Sequence, residues 1–268
     1  MLEVRHLSKT YADGTKALKD VSFSVPDGEF LVVIGLSGSG KSTMLRCINR
    51  LIDPTEGEIL WDGVDLAQLK GEDLRKARRK IGMIFQHFNL VKRSSVLKNV
   101  LAGRLGYTPS WNSLIGRFST EDKIKAFEAI KRLGIEDQIY KRASELSGGQ
   151  QQRVGVARAL MQDPEMILAD EPVASLDPVL AHSIMQYLEL LNQEDKITMV
   201  CSLHYLDLVQ RYATRVIGLK DGVLVYEGSK ADIRAMTDEQ FKDIYGQDAE
   251  RVGGGLEGDL GVKVGGAA

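Results

Sequence analysis

Gly35-Leu36-Ser37-Gly38-Ser39-Gly40-Lys41-Ser42 has the spacing of a phosphate-binding loop: two glycines flanking four residues, then Gly-Lys-Ser. Glycines let the backbone wrap closely, so several N–H groups converge on one phosphate. The helix that follows adds its positive N-terminal end. In this pattern Lys41 reaches the β- and γ-phosphates and the Ser42 hydroxyl binds Mg²⁺. Thr43 is placed to bond the α-phosphate. A second chemical pair is Asp170-Glu171, two acids at the end of the apolar run Met166–Ala169. Asp170 is suited to hold Mg²⁺. Glu171 is suited to orient and deprotonate an attacking water.

These residues need elements to hold them. Phe30-Leu31-Val32-Val33-Ile34 is continuously apolar, as expected of a strand covered on both faces. The loop follows it directly. Met44, Leu45, Ile48, Leu51 and Ile52 then recur at helical spacing. Strand, loop and helix together are a nucleotide-binding start. Upstream, Val21, Phe23 and Val25 alternate with serines, a half-buried strand pattern. Asp62-Gly63 predicts a hairpin turn. Val96 to Leu160 reads as mainly helical, with an insert from Gly103 to Phe118. Strands return at Met166–Ala169, Ile197–Ser202, Val216–Leu219 and Val223–Tyr226, and two helical patterns follow at about 230–246. Strands alternating with helices predict a parallel α/β sheet.

The phosphate loop alone leaves kinase, GTPase and ATPase open. A guanine reader of the Asn-Lys-x-Asp type does not occur in the sequence. The net charge of −2 gives no reason to expect nucleic acid. The longest strongly apolar run, Phe30 to Leu36, is far short of the ~20 residues a spanning helix needs, so the chain is not expected to cross a membrane by itself. The N-terminus shows no apolar signal core. Cys47 and Cys201 have no metal-like spacing and read as buried core residues.

Leu146-Ser147-Gly148-Gly149-Gln150 resembles the signature motif of the ATP-binding-cassette family, and it lies upstream of the acid pair as in that family. Ser147 and the two glycines at a helix start form another anion site. The resemblance covers about residues 2–246. It implies an α/β cassette: a phosphate-loop core with a parallel sheet, an N-terminal antiparallel β subdomain, and an inserted helical subdomain at about 87–160. It implies Gln86 as the glutamine-loop residue near Mg²⁺ and the water, and His204 as the γ-phosphate contact. Tyr11 is placed to stack on adenine, with a purely structural role as the alternative reading. It further implies a head-to-tail homodimer with two ATPs sandwiched, in which Ser147, Gly148, Gly149, Gln150 and Asp177 of one copy face the nucleotide of the other.

Ile81 to Arg93, Asn99 to Pro109 and Glu171 to Asp177 are similar to the ATP-binding subunits of phosphonate importers. That branch implies membrane-spanning permease partners, an external solute-binding protein reached through them, and a peripheral place on the cytoplasmic face of the membrane. Phosphate or phosphite is the alternative solute. A non-transport cassette would carry a coiled coil or tandem cassettes, and a small-molecule kinase would leave the signature unexplained. The branch is expected to show Asn-Leu-His before the switch histidine, whereas this chain has Ser202-Leu203-His204. Trp111, Leu114, Ile115 and Phe118 read equally as a docking surface or as helical-subdomain core. The basic run Arg75 to Lys80 reads as a solvated helix face, with lipid or a partner as the alternative. The Gly-rich tail, 247–268, is expected to be disordered.

Overall fold

The computed structural model describes residues 1–245, 249–253 and 260–264. In chain order the elements are β1 (Leu2–Thr10), β2 (Lys16–Val25), β3 (Phe30–Ile34), α1 (Lys41–Ile48), β4 (Glu56–Trp61), β5 (Val64–Asp65), α2 (Gly71–Arg79) and β6 (Ile81–Ile84). There follow α3 (Val96–Leu101), α4 (Ser110–Leu114), α5 (Thr120–Arg132), α6 (Gly148–Leu160), β7 (Met166–Asp170), α7 (Pro178–Asp195), β8 (Thr198–Ser202) and α8 (Leu206–Tyr212). The chain closes with β9 (Arg215–Lys220), β10 (Val223–Ser229), α9 (Lys230–Arg234), α10 (Asp238–Tyr245), β11 (Ala249–Gly253) and β12 (Leu260–Val264).

Six strands form the central sheet in the order β10-β9-β3-β8-β7-β6. All neighbours are parallel except the β9–β10 hairpin. The apolar run of β3 explains this position. Phe30, Val32 and Ile34 enter one core while Leu31 and Val33 enter another, on the opposite face. Alternation in a strand sends successive side chains to opposite sides, so a strand covered on both faces must be apolar throughout. On the Leu31 side lie α1 and the antiparallel sheet β2-β1-β4-β5. On the Phe30 side lie α3, α5, α6, α7, α8 and α10. Each large aliphatic side chain so buried contributes ~1.5–3 kcal/mol. The expected strands and the Asp62-Gly63 turn all appear, with a positive φ at both turn residues.

The insert after α3 is pinned at its base. Tyr107 lies between the guanidiniums of Arg104 and Arg79, 4.1 and 5.0 Å from its ring centre. Its hydroxyl donates to the Gln162 carbonyl at 2.7 Å. Arg104 also pairs with Asp122 and Asp163. The tip is different: Trp111, Leu114 and Ile115 are 72, 77 and 56% exposed. These three are therefore surface residues, and only Phe118 packs against the core. In the basic run, Arg75 pairs with Glu72 and Lys76 with Asp73 along α2 and Lys80 pairs across to Glu165, as a solvated face does, whereas Arg79 turns inward beside Tyr107. Both cysteines are buried.

In the tail, β11 and β12 pair as an antiparallel hairpin, Ala249 opposite Val264 and Glu250 opposite Lys263. This differs from the expectation of disorder at those two segments. Val252, Val262 and Val264 supply β propensity that the glycine content of the tail masks. The rest of 247–268 lies outside the described residues.

One buried side chain organises the turn between β6 and α3. Asn99 accepts from the Val91 N–H at 2.8 Å and donates to the carbonyls of Val91, Ser94 and Ser95. Replacing Asn99 with Ala leaves these groups without their partner in a buried setting, which costs about 1–3 kcal/mol. Chemical denaturation of Asn99→Ala against the parent protein reads that loss directly.

Candidate functional site

Four strand ends converge on one edge of the central sheet. The glycine-rich loop leaves β3, Gln86 follows β6, Asp170 ends β7, and Ser202 ends β8 just before His204. In parallel α/β sheets the carboxyl ends of the strands are where ligands bind. Two glycines in the loop are forced by space. A Cβ on Gly35 would lie 2.2 Å from the Leu219 carbonyl oxygen, and one on Gly40 2.6 Å from that of Ala17. Both also have positive φ, at 145° and 106°. Side chains other than hydrogen would therefore open the loop.

The loop borders a cavity of about 230 Å³ that Ser37, Gly38, Lys41, Ser42, Gln86 and Glu171 help to line. Lys41 is buried, and its Nζ donates to the carbonyls of Gly35 and Leu36, both at 2.8 Å. Burial pulls its ammonium down to about 8, against the upward pull of the Glu171 and Asp170 carboxylates. Nζ lies 3.9 Å from Glu171 Oε1. The Ser39 hydroxyl is buried in the loop with no hydrogen-bond partner. An orphaned buried hydroxyl beside a cradle of this kind fits an anionic ligand that would satisfy it.

Asp170 is almost fully buried, and its Oδ1 accepts from Ser42 Oγ at 2.7 Å. Arg46 approaches Oδ2 at 3.5 Å. Ser42, Asp170 and the Gln86 amide form an all-oxygen donor set, the kind that suits a small hard dication such as Mg²⁺. His204 Nε2 hydrogen-bonds Glu171 Oε1. That bond holds the Glu171 carboxyl below its usual range, outweighing the upward push of burial, and the Lys41 and His204 charges add to it. Glu171 is thus presented as a carboxylate, aimed by an imidazole and next to a buried ammonium. Tyr11 sits at the loop's flank, with its hydroxyl 3.2 Å from Thr43 Oγ1 and Lys9 Nζ 5.5 Å from its ring centre.

The signature segment lies elsewhere. Ser147 is the exposed N-cap of α6, and its hydroxyl accepts from the Gln150 N–H while the Gln150 amide oxygen accepts from the Ser147 N–H. This reciprocal capping box satisfies two N–H groups at the start of α6 locally. Gly149 packs against Leu180, and a Cβ there would meet it at 2.7 Å. Asp177 caps α7 by accepting from the Leu180 N–H at 3.0 Å. None of Leu146 to Gln150 lines the phosphate-loop cavity. The fold brings together Gly35–Thr43, Gln86, Asp170, Glu171 and His204, while Ser147 and Asp177 cap the starts of α6 and α7.

Sequence reasoning missed two side chains that shape this edge. Arg158 on α6 donates to the carbonyls of Phe88 and Asn89, at 2.9 and 2.6 Å, and so ties the signature helix to the segment after Gln86. Ser202 lies between Asp170 and Glu171. Neither belongs to a pattern of fixed local spacing, and only their polarity inside apolar runs marks them.

The comparisons with known proteins agree with this geometry. The family model for ABC transporters matches residues 18–174. The phosphonates import ATP-binding protein PhnC of Staphylococcus saprophyticus is 52% identical over 255 residues, covering 94% of this chain and 98% of the relative. That of Bdellovibrio bacteriovorus is 53% identical over 253 residues, covering 94% and 96%. Among solved structures, the dimeric post-hydrolysis state of the ATP-binding cassette MJ0796, bound to ADP and Pi, is 39% identical with a TM-score of 0.77, over 86% of this chain and 99% of that one. The cassette MJ1267 in its ADP conformation is 31% identical with a TM-score of 0.79, over 91% and 97%. The chain belongs to the ABC transporter family.

The Lys41 environment has a measurable consequence. With the ammonium near pH 8, its charged fraction falls from about half at pH 8 to a tenth at pH 9. A nucleotide that needs the charged form then binds roughly fivefold more weakly at pH 9 than at pH 8, because the competent fraction is reduced by that ratio. Calorimetric titration of ATP across this range reads the change.

Proposed function

We propose that this chain is the ATP-hydrolysing subunit of an importer for phosphonate or a related phosphorus oxyanion. It works as a head-to-tail homodimer beneath membrane-spanning permease subunits. The single observation that carries the dimer is that Ser147 caps an exposed helix start and lies outside the lining of the phosphate-loop cavity. A phosphate loop and a capped signature serine on two chains can both contact one γ-phosphate when the chains pack head to tail. The relatives named above, at about half identity over nearly the whole chain, support the solute class.

In each composite site the loop N–H groups and Lys41 hold the β- and γ-phosphates. Thr43 bonds the α-phosphate and Tyr11 stacks on the adenine. Ser42, Asp170 and Gln86 would hold Mg²⁺, which would neutralise charge on the phosphates. Ser147, the glycine backbone, Gln150 and Asp177 of the second copy close over the γ-phosphate. Glu171 accepts the proton of the attacking water as the water oxygen bonds to the γ-phosphorus. The bond between that phosphorus and the β,γ-bridging oxygen breaks, leaving ADP and inorganic phosphate. His204 keeps the Glu171 carboxylate aimed and meets the γ-phosphate. Loss of the bridging phosphate removes contacts that only the closed dimer makes, so the two copies part. The exposed Trp111, Leu114 and Ile115 favour a role in docking the permease. No helix among the described residues is long and apolar enough to cross a membrane, which is in keeping with a peripheral subunit.

Glu171→Gln keeps the shape of the site and removes the base. It is expected to bind ATP, to lower turnover by ~10²–10⁴, and to accumulate as an ATP-bound dimer in size-exclusion chromatography. A variant that turns over at the parent rate as a monomer refutes the composite site. The solute is tested in the reconstituted transporter, with its binding protein loaded in turn with phosphonate, phosphite or phosphate. Phosphonate is expected to stimulate ATP hydrolysis most, and stimulation by none of the three overturns the solute assignment.

A further inference from the structure

Glu171 is held in a costly conformation. Its φ is 48°, in the left-handed region, where a Cβ crowds the following carbonyl oxygen. Such a conformation persists only where neighbours enforce it. The neighbour here is Ser202. In the parallel register of β7 and β8 it stands directly opposite Asp170. Its side chain is fully buried. The hydroxyl oxygen accepts from the Glu171 backbone N–H at 2.9 Å. The same hydroxyl donates to Asp170 Oδ1 at 3.4 Å. Both capacities of one hydroxyl are thereby used, one on each member of the acid pair.

The segment Ser202-Leu203-His204 therefore grips Glu171 twice. Ser202 fixes its backbone, and His204 its carboxylate. Ser42 completes the chain on the far side of Asp170, at the same Oδ1. We propose that Ser202 is a positioning residue for ATP hydrolysis. It locks the turn after β7 so that the Glu171 carboxylate faces the attacking water, and it ties that placement to the oxygen of Asp170 that Ser42 also contacts. This rests on the reading of Glu171 as the base. Ser202 itself touches no reacting atom. Its effect comes through geometry, and a misplacement of about 1 Å at a reacting group can cost 10²-fold in rate.

The test is a double-mutant cycle in the full chain, with rates expressed per ATP-binding site counted by nucleotide titration. Ser202→Ala is expected to lower kcat roughly tenfold or more while KM for ATP stays within about twofold, since Lys41 donates its hydrogen bonds to the loop carbonyls of Gly35 and Leu36 and none to Ser202. In a Glu171→Gln background, Ser202→Ala is expected to cost nothing further, because the group it positions is gone. A merely structural serine would lower thermal stability, yet would leave kcat per site unchanged or slow both backgrounds alike. Parent-level kcat in Ser202→Ala, with Glu171→Gln inactive, overturns the proposal and leaves the base assignment standing. Equal slowing of both backgrounds also overturns it. Full activity in Glu171→Gln alone overturns the base assignment, and the positioning role with it.

Discussion

The Asp170 carboxylate is the joint on which the site depends. A buried charge is tolerated only where polar groups replace its water. Here Ser42 supplies one hydroxyl from the start of α1 and Ser202 another from the end of β8. The phosphate loop, the acid pair and the switch segment are thereby joined through a single oxygen. None of these three could shift alone without leaving a buried group unpaired. The parallel register of β3, β8 and β7 makes this meeting possible, because it brings the three strand ends to one edge at one level.

That edge is built for rigidity, and the signature face is built for encounter. The phosphate loop sits against β9 and the start of β2 so tightly that two of its glycines admit no side chain. Ser147 by contrast is exposed, at a helix end whose caps are satisfied locally. A satisfied cap keeps the helix start ordered and still offers its N–H groups to an incoming anion. Arg158 links the far end of that helix to the backbone after Gln86. The segment after Gln86 and the signature helix are thereby joined by a short, part-buried contact.

The insert repeats the same division between an anchored base and a presented tip. Stacked guanidiniums hold Tyr107 against the body, and the apolar residues beyond it find no core to enter. The tip is thereby left as an exposed apolar surface. The sequence reading left these residues between core and surface because a cluster of apolar residues has the same composition in either place. Only burial separates the two.

Much of the fold and most of the candidate site were legible in the sequence. Gly35 to Ser42 declares itself because loop backbone, lysine and helix start act within eight residues. The uniform apolarity of Phe30 to Ile34 announces a strand covered twice. Asp170-Glu171 and Ser147 to Gln150 are equally local. Tertiary structure alone decided what those motifs do to one another. The Ser202 hydroxyl reaches Glu171 across 31 residues of chain, and only strand register sets that distance. The same holds for Arg158 on the backbone of Phe88 and Asn89. Local chemistry depends on residue type and short spacing, which a sequence states outright. Long-range pairing depends on how sheets align and helices pack, which no short stretch of chain contains.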